Sequence, residues 1–349
     1  MATKEKPIVA ITMGEVSGIG PEIARRAIAQ EAIFDHCRPL LISDYRVMQM
    51  VEDELHIGGT IRCIDKADGA TWDGHMANMI DLNNVPPGSF AKGQPNAMTG
   101  KAMIESSEVA IRLCMERKVQ GAVGGPHSKK AADDAGIPFN GYPGLIGRLT
   151  GATYPFLMLV AGNLRVTNVT LHISLRRALD LIKKNLILEA IKATHEAVKS
   201  FGVAAPRIAV AGLNPHAGEG GMFGEEDASE IAPAVREAQR LDFNAVGPVP
   251  ADSLFWKCAD GKYDAYVAMY HDQAHIPVKV LAFMSASAVA IGVPINWATV
   301  DHGCASDIAW KGVADPTALI ETIKLVSGRF ISPISPQGSA VGSGRWGGP

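Results

Sequence analysis

Cysteine is scarce and shows no pattern. Five thiols, Cys37, Cys63, Cys114, Cys258 and Cys304, are scattered over 349 residues, an odd number without paired metal-type spacing. That excludes a disulfide framework and a cysteine-built zinc site, and it fits reduced thiols in a cytoplasmic protein. No apolar run approaches the roughly 20 residues needed to span a bilayer. The start, Met1-Ala-Thr-Lys-Glu-Lys-Pro, lacks the charged and apolar regions of a secretory signal, so export is not expected. A formal charge of -3, with both signs spread along the chain, leaves no basic stripe for nucleic acid and no polybasic patch for a membrane. A compact metal motif of the H-E-x-x-H kind is missing as well. The partners expected are small molecules, and anionic ones need local positive charge.

What the chain does have is apolar content, 47%, and 36 glycines, enough for two domains with a substantial core. β-rich runs alternate with helical patterns throughout, which predicts an α/β fold with parallel strands and crossover helices. Strands are expected at Ile8–Met13, Pro39–Ser43, Gln120–Gly124, Val166–Leu171, Ile208–Ala211 and Tyr266–Tyr270, and helices at about Gly100–Lys118, Ser174–Lys183 and Leu186–Phe201. Pro21 and Glu22 suit the first turn of a further helix, because proline lacks only an N–H that is unpaired there and glutamate complements the positive end of the helix dipole. We place a first α/β domain at residues 1–125 and 301–330 and a second at 126–300, carrying most metal and substrate residues. Residues 331–349 are too poor in apolar groups to pack and are expected to form a mobile tail.

Three histidines each stand where an apolar run stops and a turn begins: His172 after Arg165-Val-Thr-Asn-Val-Thr-Leu, His216 within Gly212-Leu-Asn-Pro-His-Ala-Gly-Glu-Gly-Gly, and His271 behind Asp264-Ala-Tyr-Val-Ala-Met-Tyr. Strand ends are where an open α/β sheet presents ligand-binding groups. Three neutral imidazoles converging there would half-fill the shell of a divalent metal and leave positions for substrate oxygens. Each could instead be an ordinary hydrogen-bonded loop residue. Gly18-Ile-Gly, likewise, suits a tight turn as well as a phosphate loop.

Taken together, Met13-Gly-Glu-Val-Ser-Gly-Ile-Gly-Pro-Glu, the His216 motif, Pro248-Val-Pro-Ala-Asp-Ser-Leu-Phe, Ala268-Met-Tyr-His-Asp-Gln and Val300-Asp-His-Gly resemble the 4-hydroxythreonine-4-phosphate dehydrogenase (PdxA) family from about residue 8 to 326. The resemblance implies two α/β/α domains around a cleft, as in isocitrate and isopropylmalate dehydrogenases, and a homodimer with shared active sites. It also implies a metal held by His172, His216 and His271, zinc being the leading choice with magnesium, manganese and cobalt as alternatives. Asp301-His-Gly-Cys-Ala-Ser-Asp looks like the nucleotide loop of isopropylmalate dehydrogenases, which implies NAD or NADP beside His302, Gly303, Ala305 and Asp307. Asp307 could equally cap a helix. Lys279, in the position of a family substrate-binding lysine, and Asp252, in the matched Pro-Ala-Asp motif, are assigned catalytic roles. Their plain alternatives are a solvated lysine and a turn-capping aspartate.

The chain departs from the family pattern at the substrate phosphate. The family's Gly-His-Thr-Glu stretch reads Gly141-Tyr-Pro-Gly, its Gly-Pro-x-His-Lys region reads Gly125-Pro-His-Ser-Lys, an asparagine gives way within Met284-Ser-Ala-Ser-Ala, and Trp297 stands where an arginine is expected. Phosphate recognition relies on multiple N–H donors and often an arginine fork. With Tyr142, Pro143, Ala288 and Trp297 in those places, the expected substrate is a nonphosphorylated cyclic dihydrodiol carboxylate, bound by these residues and Lys279, and oxidised with decarboxylation. The alternatives are 4-hydroxythreonine-4-phosphate or a phospho-sugar acid, with phosphate held by Lys129 or Lys130. From other classes come a metal-dependent hydrolase and a noncatalytic ligand-binding protein.

Overall fold

The computed structural model describes residues 5–258, 261–283 and 285–328. Met284 and the expected tail, 331–349, lie outside them. Twelve strands form one sheet: β1 (Ile8–Thr12), β2 (Arg38–Ser43), β3 (Thr60–Ile64), β4 (Met76–Asp81), β5 (Gly121–Gly124), β6 (Phe156–Ala161), β7 (Leu164–Asn168), β8 (Ile208–Ala211), β9 (Ala245–Val249), β10 (Ala265–Ala268), β11 (Ser287–Ile291) and β12 (Trp297–Val300). Their order is β3-β4-β2-β1-β5-β12-β11-β6-β7-β10-β8-β9.

The fold class is α/β, and the packing explains why. Val9 and Ile11 join the hydrophobic cluster on one face of the sheet, while Ala10 joins that on the other. One cluster runs beneath the whole sheet, and two separate clusters cover the opposite face of its two halves. A parallel strand covered on both faces must be apolar throughout, hence the buried runs of β2, β8 and β10. Only the outer strands β3 and β9 are largely open. Three antiparallel pairings, β12–β11, β11–β6 and β6–β7, separate the two parallel blocks, which therefore run in opposite senses.

Local chemistry sets the helix starts. The long helix Ala97–Met115 begins before the expected Gly100 because Asn96 and Thr99 form a reciprocal capping box. The first helix, Gly20–Ile28, carries Pro21 and Glu22 in its first turn. Among the described residues, no helix is long and apolar enough to cross a membrane.

Candidate functional site

β7, β10 and β8 are hydrogen-bonded parallel neighbours, so the residues following them leave the sheet at one edge. His172, His271 and His216 follow these three strand ends. The rings of His172 and His271 lie 5.5 Å apart, centroid to centroid. Two imidazoles bound to one tetrahedral zinc stand about 5 Å apart by this measure, given Zn–N bonds of about 2 Å. The pair thus has the spacing of two ligands on one ion. Burial, with the charge of Lys129 and the neighbouring histidines, pushes the His172 pKa down to about 4, so at neutral pH the ring is in the ligating form. His271 Nδ1–H donates to Asp272 Oδ1 at 2.6 Å, leaving Nε2 as the free nitrogen.

His216 is not brought up to this pair. Its ring lies 6.1 Å from that of Phe223, and among the described residues no three His, Cys, Asp or Glu side chains gather into a metal-holding group. Its backbone is unusual: His216, Ala217, Gly218, Glu219 and Gly220 all have left-handed φ, from 39° to 80°. For the three residues with a Cβ this costs roughly 1–2 kcal/mol each, a price the surrounding hydrogen bonds must offset.

The helix His271–Ala282 carries His271, His275 and Lys279 at intervals of four, hence on one face. His275 stacks on His271 at 3.7 Å and donates from Nδ1–H to the His271 carbonyl. Burial lowers its pKa, and its Nε2 lies 3.9 Å from Asp301 Oδ1. Lys279 pairs with Asp301 Oδ2 at 2.7 Å and also donates to the Asp301 carbonyl. Neither His275 nor Asp301 was singled out in the sequence, although the four-residue spacing was visible there. Asp252 is exposed and pairs with none of these groups; it borders a groove shared with Tyr270, Asp272 and Gln273.

The loop after β12 is seated on the turn after β1. Ile19 N–H donates to the Cys304 carbonyl, Trp310 Nε1–H to that of Val16, and the buried Glu22 carboxylate accepts from Gly312 and Ala314 N–H. A Cβ at Gly18 would lie 2.8 Å from Cys304, so this glycine serves the close approach of the two segments. His302 is half-buried, with a pKa lowered by that burial, and its Nδ1–H donates to the Gly303 carbonyl. Open space lies beside Gly303, Ala305 is left-handed, and Asp307 is exposed and caps none of the described helices.

Four of the five expected substrate contacts, Tyr142, Pro143, Ala288 and Trp297, are buried. Tyr142 is 1% exposed and Trp297 0%, with ring centroids 5.1 Å apart. Phe139 and His127 pack edge-on against Tyr142, and the Tyr142 hydroxyl donates to the Gly125 carbonyl at 3.1 Å. Burial raises the Tyr142 pKa and, with Lys129, pushes that of His127 down to about 4.

Beside the histidine pair lies a cavity of about 460 Å³, lined by Leu171, Ile173, Leu175 and Tyr270 among others, with no lysine or arginine on its wall. A larger cavity, about 900 Å³, lies elsewhere, between the helix Lys184–Ser200 and the β11–β12 connection, and includes none of the candidate residues.

Comparison with known proteins matches residues 35–326 to a family described as pyridoxal phosphate biosynthetic protein PdxA. D-threonate 4-phosphate dehydrogenase of Cupriavidus necator is 38% identical over 91% of this chain and 96% of its own length. The structure of 4-hydroxythreonine-4-phosphate dehydrogenase from Klebsiella pneumoniae superposes with a TM-score of 0.84 at 33% identity, covering 94% of this chain and 99% of that one. A terephthalate 1,2-cis-dihydrodiol dehydrogenase from Burkholderia xenovorans gives 0.64 at 32% identity, with 93% and 99% covered. With likeness of this extent, the chain belongs to the PdxA family, a family of dehydrogenases.

Proposed function

We propose that this chain is a metal-dependent NAD(P) oxidoreductase that oxidises a secondary alcohol of a nonphosphorylated cyclic dihydrodiol carboxylate, with loss of carbon dioxide from the resulting β-keto acid. The observation that carries this reading is the cavity beside His172 and His271, whose wall carries no lysine or arginine for a phosphate. The aromatic filling around Tyr142 and Trp297 supports it, since it occupies the positions at which the family pattern places polar contacts.

A bound metal would supply Lewis-acid polarisation to the substrate oxygen, and NAD(P) would supply the hydride acceptor. His172 and His271 would hold the metal, with His216, which stands apart from this pair in the structure, as the proposed third ligand. Lys279, its ammonium oriented by Asp301, pairs with the substrate carboxylate. His302, Gly303, Ala305 and Asp307 border the nucleotide, with Glu22 fixing their loop. Asp252 has an orienting role at the rim.

The working form is a homodimer in the cytoplasm. Trp256, Val280 and Met222 are 84%, 78% and 73% exposed; Trp256 and Val280 line one groove with Tyr270 and Asp272, the neighbours of His271, and Met222 follows His216 by six residues. Apolar surface of this kind needs a cover, and a second copy brings its own histidines to the same place. The two halves of the sheet act as two domains about the cleft, with β12 on the side of the first.

One observation favours a second reading, a phosphorylated hydroxy acid. Lys129 is half-buried, its pKa lowered by that burial, and it makes no ion pair among the described residues. An NAD(P)H-formation screen of metal-loaded protein, with released carbon dioxide trapped, separates the two. The cis-dihydrodiol of terephthalate is expected to give both products. Turnover of 4-phosphohydroxythreonine or D-threonate 4-phosphate alone would establish the second reading.

A further inference from the structure

Lys129 stands in the first turn of the helix Lys129–Asp134, which follows β5 and is capped by the Ser128 hydroxyl. Nothing local accounts for its charge. A cation at a helix start faces the positive end of the dipole. The carboxylate four residues on, Asp133, is exposed and does not pair with it, while Asp134 is taken by Lys130. Among the described residues the Lys129 ammonium has neither an ion pair nor a hydrogen bond, although the side chain is half-buried and that burial lowers its pKa. What it faces is a pair of histidines. After burial, the charge of Lys129 is the main cause of the lowered pKa of both His127 and His172. Packing brings the same groups together: His127 meets Tyr142 edge-on, and a Cβ at Gly141, the residue before Tyr142, would lie 3.7 Å from His172 Nδ1.

An ammonium that has lost part of its hydration and has no counter-ion is destabilising unless an anion joins it. We infer that Lys129 receives a second carboxylate of the substrate, so that the acid oxidised here is a cyclic dihydrodiol dicarboxylate. Lys279 pairs with the carboxylate next to the alcohol, and Lys129 with one that stays on the ring. The inference rests on the dihydrodiol reading given above. Lys129 lies off the wall of the cavity beside His172 and His271, so only an acid reaching past His172 meets it. A carboxylate suits this place better than a phosphate. One ammonium is a single point charge and the neighbouring Lys130 is already paired, whereas phosphate recognition calls for several donors or an arginine fork.

The test compares acids that differ by one carboxylate, on the full metal-loaded chain. The cis-dihydrodiols of terephthalate and of benzoate report kcat/KM, and the unreactive acids terephthalate and benzoate report Kd by calorimetry. The wild-type protein is expected to favour the dicarboxylate in both measurements. Lys129→Met, which keeps the length of the side chain and removes its charge, is expected to lower the dicarboxylate-to-monocarboxylate ratio about 10- to 100-fold, the range for one charge-assisted hydrogen bond, chiefly through KM. Lys129→Arg keeps the charge and is expected to retain most of the preference.

An unchanged ratio in Lys129→Met, or equal losses on both acids, would overturn the role of Lys129 while leaving dihydrodiol oxidation standing; equal losses are what a purely structural lysine gives. If Lys129→Met does not fold, the wild-type protein decides, because equal efficiency and equal affinity for the two acids overturn the inference without any variant. Oxidation of neither dihydrodiol, beside turnover of D-threonate 4-phosphate, would overturn the dihydrodiol reading itself, and the inference with it.

Discussion

Two regions of this molecule hold aromatic and imidazole rings close together, and they differ in what surrounds the rings. At the ends of β7 and β10, His172 and His271 stand at ligand spacing against a cavity of about 460 Å³. Between β5, β12 and the helix Tyr142–Thr150, the rings of Tyr142 and Trp297 meet at a similar separation with almost no exposure. Similar ring distances therefore mean different things. Where the contacts are polar nitrogens facing open space, the arrangement can take a ligand; where they are tilted rings packed inside the core, their contacts serve packing.

The comparison breaks first if the open region is dispensable. His172→Ala or His271→Ala is expected to lower metal-dependent turnover by about 10³-fold, the upper range for removing one electrostatic stabiliser, with the melting temperature little changed. Steady-state rates beside thermal melts check this. The closed region should behave in the opposite way: Trp297→Ala is expected to cost about 3–5 kcal/mol of stability through the cavity it leaves, measured by urea unfolding.

A smaller effect separates the regions by pH. The folded pKa of His127, about 4, lies below its ordinary 6.5, so the unfolded chain binds the extra proton first. Its contribution is full above pH 6.5 and lost as pH falls through 4, about 3 kcal/mol at most. His127→Gln should flatten the acid limb of the stability curve. Least of all, Tyr142→Phe removes the bond to the Gly125 carbonyl and is expected to cost about 1 kcal/mol, with kcat/KM unchanged, because the hydroxyl faces the core. A large change in KM would place Tyr142 at the substrate after all.

The α/β class was legible because alternation of apolar runs with helical periods survives in any window of the sequence, and β8 lies at Ile208–Ala211 as expected. β6 was not. Phe156–Ala161 is apolar at every position, and such a run has no period to distinguish a buried strand from a buried helix. β11 and β12 escaped because they pair antiparallel within an otherwise parallel expectation. At the site, the positions of the three histidines at strand ends were legible, whereas the left-handed backbone at His216 was not, since it leaves no pattern in residue type. The aromatic residues Tyr142 and Trp297 were readable, but not their burial. An aromatic residue lining a pocket and one filling it are the same letter, and only the packing of Phe139, His127 and Gly125 around the ring separates them.

The central claim is that the open region takes an acid without a phosphate, and the direct measurement is kcat/KM for the cis-dihydrodiol of terephthalate and for 4-phosphohydroxythreonine on the same metal-loaded preparation. The account predicts a ratio well above tenfold in favour of the dihydrodiol, a difference greater than about 1.4 kcal/mol in transition-state stabilisation. Equal or greater efficiency with the phosphorylated substrate would contradict it.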